Sequence, residues 1–280
     1  MILVTGATGN VGSQVVERLL SHGRSVRVFT RDTAKVARWG DQVQAVAGNF
    51  TEPETFAQAV VGVEAVFMMN GALDGGLFRQ LMAIAKEQGS PRVVFLSSLF
   101  AADPALAIGR LHKDKEDVLL ASGLEAAVVR AGSFMSNAYQ WIGTIQSDGT
   151  VYNAVGEGVT APVDPEDIAA VVVHALTTPQ LIQTFFDVTG ATRLTIPQQV
   201  EILAKALARP LRTVEVPAEA AVQGLVSNGV PPHVATALGE SFTAIREGRA
   251  AAVTDTVERV TGRNPRSFAE WAQEHAARFA

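Results

Sequence analysis

The chain has 280 residues, enough for one large domain or two modest ones and for a sizeable core. Hydrophobic residues make up 48% and charged residues 18%, which excludes a disordered chain, and a formal charge of −5 gives no footing for nucleic acid or an anionic membrane surface. The absence of cysteine excludes disulfides, thiolate nucleophiles and cysteine-bound metals.

The first half alternates short apolar runs with helical stripes. Residues 2–4 read as a strand, and Val11, Val15 and Leu19 then recur at helical spacing until Gly23 ends the helix. Further strands are expected at 25–30, 43–47, 65–69, 92–97 and 125–130, with helical patterns at 55–60 and 77–88 between them. Strands alternating with helices imply βαβ units, and hence a Rossmann-like, doubly wound parallel α/β sheet. The alternation weakens after about residue 132. Asp164-Pro165 reads as a helix start, and Thr195 to Gln198 and Ser267 to Glu270 read as capping boxes. The last of these opens a helix with Phe268, Trp271, His275 and Phe279 on one face. The expected organisation is a dinucleotide-binding domain over 1–150, with later segments able to return to it, and a smaller, mostly helical substrate region over 151–280.

The informative segment is Val4-Thr5-Gly6-Ala7-Thr8-Gly9-Asn10-Val11-Gly12, a G-x-x-G-x-x-G pattern between a strand and a helix. Gly6 serves the tight turn and Gly9 the close approach of backbone to a pyrophosphate. Gly12 lets the helix pack closely on the sheet. Thr8, Asn10 and Val11 complete the phosphate-facing turn, where the helix offers N–H groups and partial positive charge. The second strand ends in Phe29-Thr30-Arg31-Asp32. An acid at that strand end suits the ribose hydroxyls of NAD, whereas an arginine suits a 2′-phosphate. Arg31, with Lys35 a turn later, points to NADP(H), with NAD(H) as the alternative because Asp32 follows. Asn49 and Phe50, after the third strand, are candidates for the adenine pocket. Met68, Met69 and Asn70 end the fourth strand and Ser97 the fifth. In open α/β sheets ligands lie beyond these carboxyl ends.

The Tyr-x-x-x-Lys pair of short-chain dehydrogenases is absent: Tyr139 is followed by Gly143 and Tyr152 by Gly156. In the corresponding region stands Leu111-His112-Lys113-Asp114-Lys115-Glu116, with His112 and Glu116 at i and i+4. His112 and Lys113 are the candidate proton donors, with Lys115 as a further choice, against a solvated helix start. The histidines at 22, 112, 174, 233 and 275 show no metal spacing, and there is no Walker loop or G-x-S-x-G elbow. Hydride transfer is the reaction class suited to such a cofactor. Phe134, Met135, Asn137, Tyr139 and Trp141 follow the sixth strand and are the candidate substrate contacts.

Several segments together resemble the NmrA-like group of atypical short-chain dehydrogenases: Thr5 to Gly12, His112 to Glu116, Ser122-Gly123-Leu124, Val129 to Asn137, Pro162 to Ala169, Asp187-Val188-Thr189-Gly190 and Phe268-Ala269-Glu270-Trp271. That group includes quinone oxidoreductases, azo- and triphenylmethane-dye reductases and redox-sensing regulators. The resemblance implies a Rossmann domain with a small substrate region, a preference for NADPH, and reduction without the Tyr–Lys pair. Two departures are Asn49, where the group commonly has Asp, and Ala131, where it often has Pro. The leading expectation is an NADPH-dependent oxidoreductase of a small conjugated or aromatic electrophile. A non-catalytic NADP(H) sensor and a ketone or enone reductase of a biosynthetic pathway are the alternatives. The expected protein is cytoplasmic, a monomer or homodimer, and works on a small molecule with no nucleic-acid or membrane partner.

Overall fold

A computed structural model describes residues 1–69, 74–178 and 183–280. Among these residues seven strands form one sheet: β1 (Ile2–Thr5), β2 (Val26–Thr30), β3 (Val43–Ala47), β4 (Ala65–Met68), β5 (Arg92–Ser98), β6 (Ala126–Ala131) and β9 (Thr184–Val188). Their order is β3-β2-β1-β4-β5-β6-β9, and every pairing is parallel. All residues of β1 and β4 are buried, as strands covered on both faces must be. The order reverses between β1 and β4, and that crevice is where open α/β sheets take their ligands.

Helices cover both faces. On one side α1 (Asn10–Ser21) and α6 (Pro165–Thr177) pack together over the sheet, sharing a core of Val11, Val15, Leu19, Ile168, Val172 and their neighbours. On the other lie α2 (Pro53–Val60), α3 (Gly75–Glu87) and α4 (Ala107–Ala121), around Phe56, Phe78, Leu81 and Phe95. Gly23, at φ 67°, ends α1: its N–H reaches the Leu20 carbonyl and that of Arg24 the Leu19 carbonyl.

The chain beyond residue 150 does not stand apart from the sheet. Helix α6 and strand β9 return to it, and β9 is a seventh strand that the apolar runs do not announce. The remainder holds α5 (Ile142–Asp148), α7 (Ile196–Ala206), α8 (Ala218–Ser227), α9 (Pro232–Arg246), α10 (Thr256–Thr261) and α11 (Phe268–His275). Two small sheets brace these helices: β7 (Thr150–Asn153) with β11 (Arg212–Glu215), and β8 (Val159–Thr160) with β10 (Leu194–Thr195). A third core of Met135, Trp141, Ile145, Leu203, Phe268, Trp271 and Phe279 lies here.

Both expected capping boxes form, at Thr195 and at Ser267. Asp164 caps α6 through the Glu166 N–H. Arg266, just before α11, bridges Asp164, Glu166 and Glu274, so the last helix is tied to α6 and through it to the sheet. Burial pushes the Asp164 carboxyl up to about 6, against the opposing pull of its Glu166 hydrogen bond and of Arg266.

Candidate functional site

The turn between β1 and α1 is built from backbone. Gly6 sits at φ 64°, in the left-handed region, and a Cβ there would lie 2.5 Å from Met69 Cγ. Gly12 is tighter still: a Cβ would lie 2.1 Å from the Gly6 carbonyl oxygen. The Gly9 N–H donates to that same oxygen at 3.0 Å and closes the turn. Among the described residues a Cβ on Gly9 would lie 3.3 Å from the Gly6 oxygen, a close approach but far less crowded than at Gly12. Helix α1 has no side-chain cap and no acid in its first turn among the described residues. Its leading N–H groups are thus presented at the switch point, with Thr8 and Asn10 exposed beside them and the Val11 side chain in the core. This cradle fits the pyrophosphate of a dinucleotide. Thr5 Oγ1 pins the crevice wall, donating to the Phe67 carbonyl at 2.9 Å and accepting from Met69 N at 3.0 Å.

Along the sheet edge, Arg31 and Lys35 are exposed. Asp32 accepts from Ala34 N at 3.0 Å as the cap of the 3-10 helix Thr33–Gln42, so its carboxylate is turned into that helix while Arg31 is left at the strand end. Asn49 Oδ1 accepts from Thr51 N at 3.3 Å. Phe50 is half-buried and packs on Phe29 and Phe56, with ring centroids 5.2 and 5.9 Å away. Met68 is fully buried in the core under α2 and α3, whereas Met69 stands against Gly6. Asn70 lies outside the described residues.

The carboxyl ends of β5 and β6 carry a polar array that spacing shows only in part. Ser97 is paired in register with Arg130. Its hydroxyl donates to Glu116 Oε1 at 2.5 Å and lies 3.4 Å from His112 Nδ1. Arg130 clamps Glu116 with two hydrogen bonds, Nε to Oε1 at 2.9 Å and Nη2 to Oε2 at 2.6 Å. Serine, histidine and glutamate are all buried. Burial, reinforced by the charge of Lys115, lowers the His112 imidazole to about 4. Lys115 itself is completely enclosed, and burial brings its ammonium down to about 8 against the opposing pull of Asp114 and Asp74. Lys113, by contrast, points outward and pairs with Asp117. The buried stripe His112, Lys115, Glu116, Leu119 has the i, i+3, i+4, i+7 spacing of a core face, with polar residues where apolar ones belong. That mismatch is the sequence signal for Lys115 and Glu116. Arg130 carries no such signal, because its role depends on strand register.

The substrate candidates spread over three environments. Met135 joins the third core, and Phe134 pairs with Val163 through the backbone. Asn137 is exposed, with Nδ2 3.4 Å from Ser133 Oγ. Tyr139 packs among Trp271, His275 and Phe279, under the guanidinium of Arg278. Trp141 lines a cavity of about 590 Å³ together with Tyr152, Ile196, Leu225 and Phe242. Helix α8, which roofs this cavity, has no buried residue among those described.

A family model described as NAD(P)H-binding matches residues 6–179, from the first glycine of the turn through α6. The chain belongs to this family of NAD(P)H-dependent oxidoreductases. It is 35% identical over 283 residues to the NAD(P)H azoreductase of Xenophilus azovorans, covering 100% of this chain and 99% of that protein. It is 36% identical over 282 residues to the (4-alkanoyl-5-oxo-2,5-dihydrofuran-3-yl)methyl phosphate reductase of Streptomyces griseus, again 100% of this chain and 99% of the relative. The family's fold is also that of the NADPH-dependent quinone oxidoreductase of Escherichia coli complexed with NADPH, at TM-score 0.86 and 22% identity over 98% of this chain and 99% of that one. The resemblance to NmrA-like reductases read from the motifs holds, and so does the Rossmann-like sheet.

Proposed function

We propose that this protein transfers a hydride from NADPH to a small conjugated or aromatic electrophile, of the quinone, dye or enone type, without a Tyr-x-x-x-Lys relay. The observation that carries the reading is the Trp141-lined cavity. Its mostly apolar walls, with tryptophan, tyrosine, phenylalanine, leucine and isoleucine beside Gln140, Thr144, Asn153 and Asn228, suit a flat, largely apolar acceptor with a few polar groups. The state of His112 supports it. A buried imidazole lowered to about 4 is neutral at pH 7 and is not a ready acid. A conjugated acceptor spreads the incoming charge, so it tolerates the lack of a positioned donor better than a simple ketone does. The azoreductase and dihydrofuranyl phosphate reductase relatives support the same class of acceptor.

NADPH rather than NADH is supported by Arg31 at the second strand end, with Asp32 turned into its cap. In this reading Gly6, Gly9 and Gly12 hold the pyrophosphate, and the nicotinamide supplies the hydride when the cofactor is bound. Residues 1–150, with α6 and β9, hold the cofactor, and the remaining segments beyond 150 join Trp141 in holding the acceptor.

The test follows the absorbance of reduced nicotinamide with a panel of quinones, azo dyes, triphenylmethane dyes, enones and simple ketones. Turnover is expected with conjugated acceptors, weakly or not at all with simple ketones, and is lost in Gly9→Val. Tight NADPH binding with no acceptor turned over would instead identify a sensor. Trp141→Ala is expected to raise KM for the acceptor and leave NADPH affinity unchanged.

A further inference from the structure

We propose that Glu116 and Arg130 are positioning residues: through Ser97 they fix the tautomer of His112, placing its proton on Nδ1 and its acceptor lone pair on Nε2. Arg130 holds Glu116 in a two-bond ion pair, and an ionised carboxylate only accepts hydrogen bonds. Ser97 has one hydroxyl proton, and at 2.5 Å it goes to Glu116 Oε1. What Ser97 Oγ has left to offer His112, 3.4 Å away, is a lone pair. Nδ1 must therefore be the donor. In the neutral ring the other nitrogen is then an acceptor.

The surroundings keep the ring neutral. Lys115, one turn along the same helix, places a cation near it, and the Phe95 ring centroid lies 6.5 Å away across the β5 side. Among the described residues Glu116, which reaches Ser97 beside the ring, is balanced by Arg130 from β6. Asp114 and Asp74 act on Lys115. His112 thus takes a hydrogen bond at Nε2 rather than giving one, and the proton that ends on a reduced product comes from elsewhere. The tautomer follows from the hydrogen-bond geometry of Ser97, Glu116 and Arg130 together with the neutrality of the buried ring. Its bearing on turnover rests on the reading of this site as the place of hydride transfer.

The experiment is long-range 1H–15N correlation spectroscopy of the uniformly labelled full chain, with His112 assigned as the signals lost in His112→Gln. At pH 7 the wild type is expected to show the Nδ1–H tautomer, and Ser97→Ala and Glu116→Gln are expected to lose that preference. An Nε2–H tautomer or an imidazolium in the wild type would overturn the proposal with no variant needed. A tautomer unchanged in both variants would overturn it equally. In kinetics, Glu116→Gln is expected to lower kcat by about tenfold or more with NADPH affinity unchanged, as loss of a tautomer-setting carboxylate does elsewhere. Full turnover in His112→Gln would remove His112 from the chemistry but leave the tautomer result standing, so the two failures are distinguishable.

Discussion

The two ends of this site are made in opposite ways. At the β1–α1 turn the functional groups are backbone amides, and the side chains matter by their absence: a Cβ on Gly6 or Gly12 would collide with atoms 2.5 and 2.1 Å away. At β5, α4 and β6 the functional groups are buried polar side chains drawn from three elements, held by a two-bond ion pair. A backbone cradle recognises what dinucleotides share, their phosphates, and tolerates any side chain that stays out of the way. A buried side-chain array is tuned to one protonation state and fails when a single member is removed.

Gly12→Val breaks the first arrangement outright. NADPH binding measured by calorimetry is expected to vanish, and the melting temperature to fall, because the new side chain meets backbone that cannot move aside. Gly9→Val sharpens the point: it too is expected to abolish binding, yet to lower the melting temperature less than Gly12→Val does, since a Cβ on Gly9 would lie 3.3 Å from the Gly6 oxygen rather than 2.1 Å.

On the other side, Glu116→Ala leaves Arg130 without its carboxylate in a mostly buried setting. It is expected to cost about 3–5 kcal/mol in denaturant unfolding. Lys113→Ala, at the neighbouring exposed ion pair, is expected to stay within about 0.5 kcal/mol.

The pH dependence of stability gives a smaller effect. His112 is lowered from 6.5 to about 4 in the folded state, so between those values the unfolded chain binds more protons. Its contribution is fully present above pH 6.5 and is lost as pH falls towards 4. His112→Asn is expected to flatten that part of the stability profile. Arg31→Ala is expected to weaken NADPH by about tenfold, near 1.4 kcal/mol, and to leave NADH unchanged, because an exposed contact to a phosphate is all it removes. Equal losses for both cofactors would break the assignment of Arg31 to the 2′-phosphate.

The same contrast decides what the sequence could reveal. Glycine spacing records backbone geometry directly, and apolar runs and cap residues are local signals, so the turn, the positions of the first six strands and both capping boxes are legible in one dimension. Strand β9 is not: its Thr184–Val188 run is short, half-exposed at the sheet edge, and separated from β6 by all of α6. His112 and Glu116 are legible as an i, i+4 pair, but Ser97 and Arg130 meet Glu116 from 19 and 14 residues away, a contact set by sheet register. The substrate candidates Phe134, Met135, Asn137, Tyr139 and Trp141 lie within one short stretch after β6. The fold deals them out, with Met135 to a core, Tyr139 to an aromatic cluster and Trp141 to the cavity. A 3-10 segment, Met135–Trp141, turns successive side chains to different sides, which a list of apolar residues does not convey.

Hydride transfer from NADPH to a conjugated acceptor is tested by the kinetic isotope effect with NADPH deuterated at C4 of the nicotinamide and a quinone as acceptor. Stoichiometric cofactor oxidation is expected, slowed by deuteration in the wild type and absent in Gly9→Val. NADPH that binds tightly to the wild type yet stays reduced with every conjugated acceptor offered would contradict it.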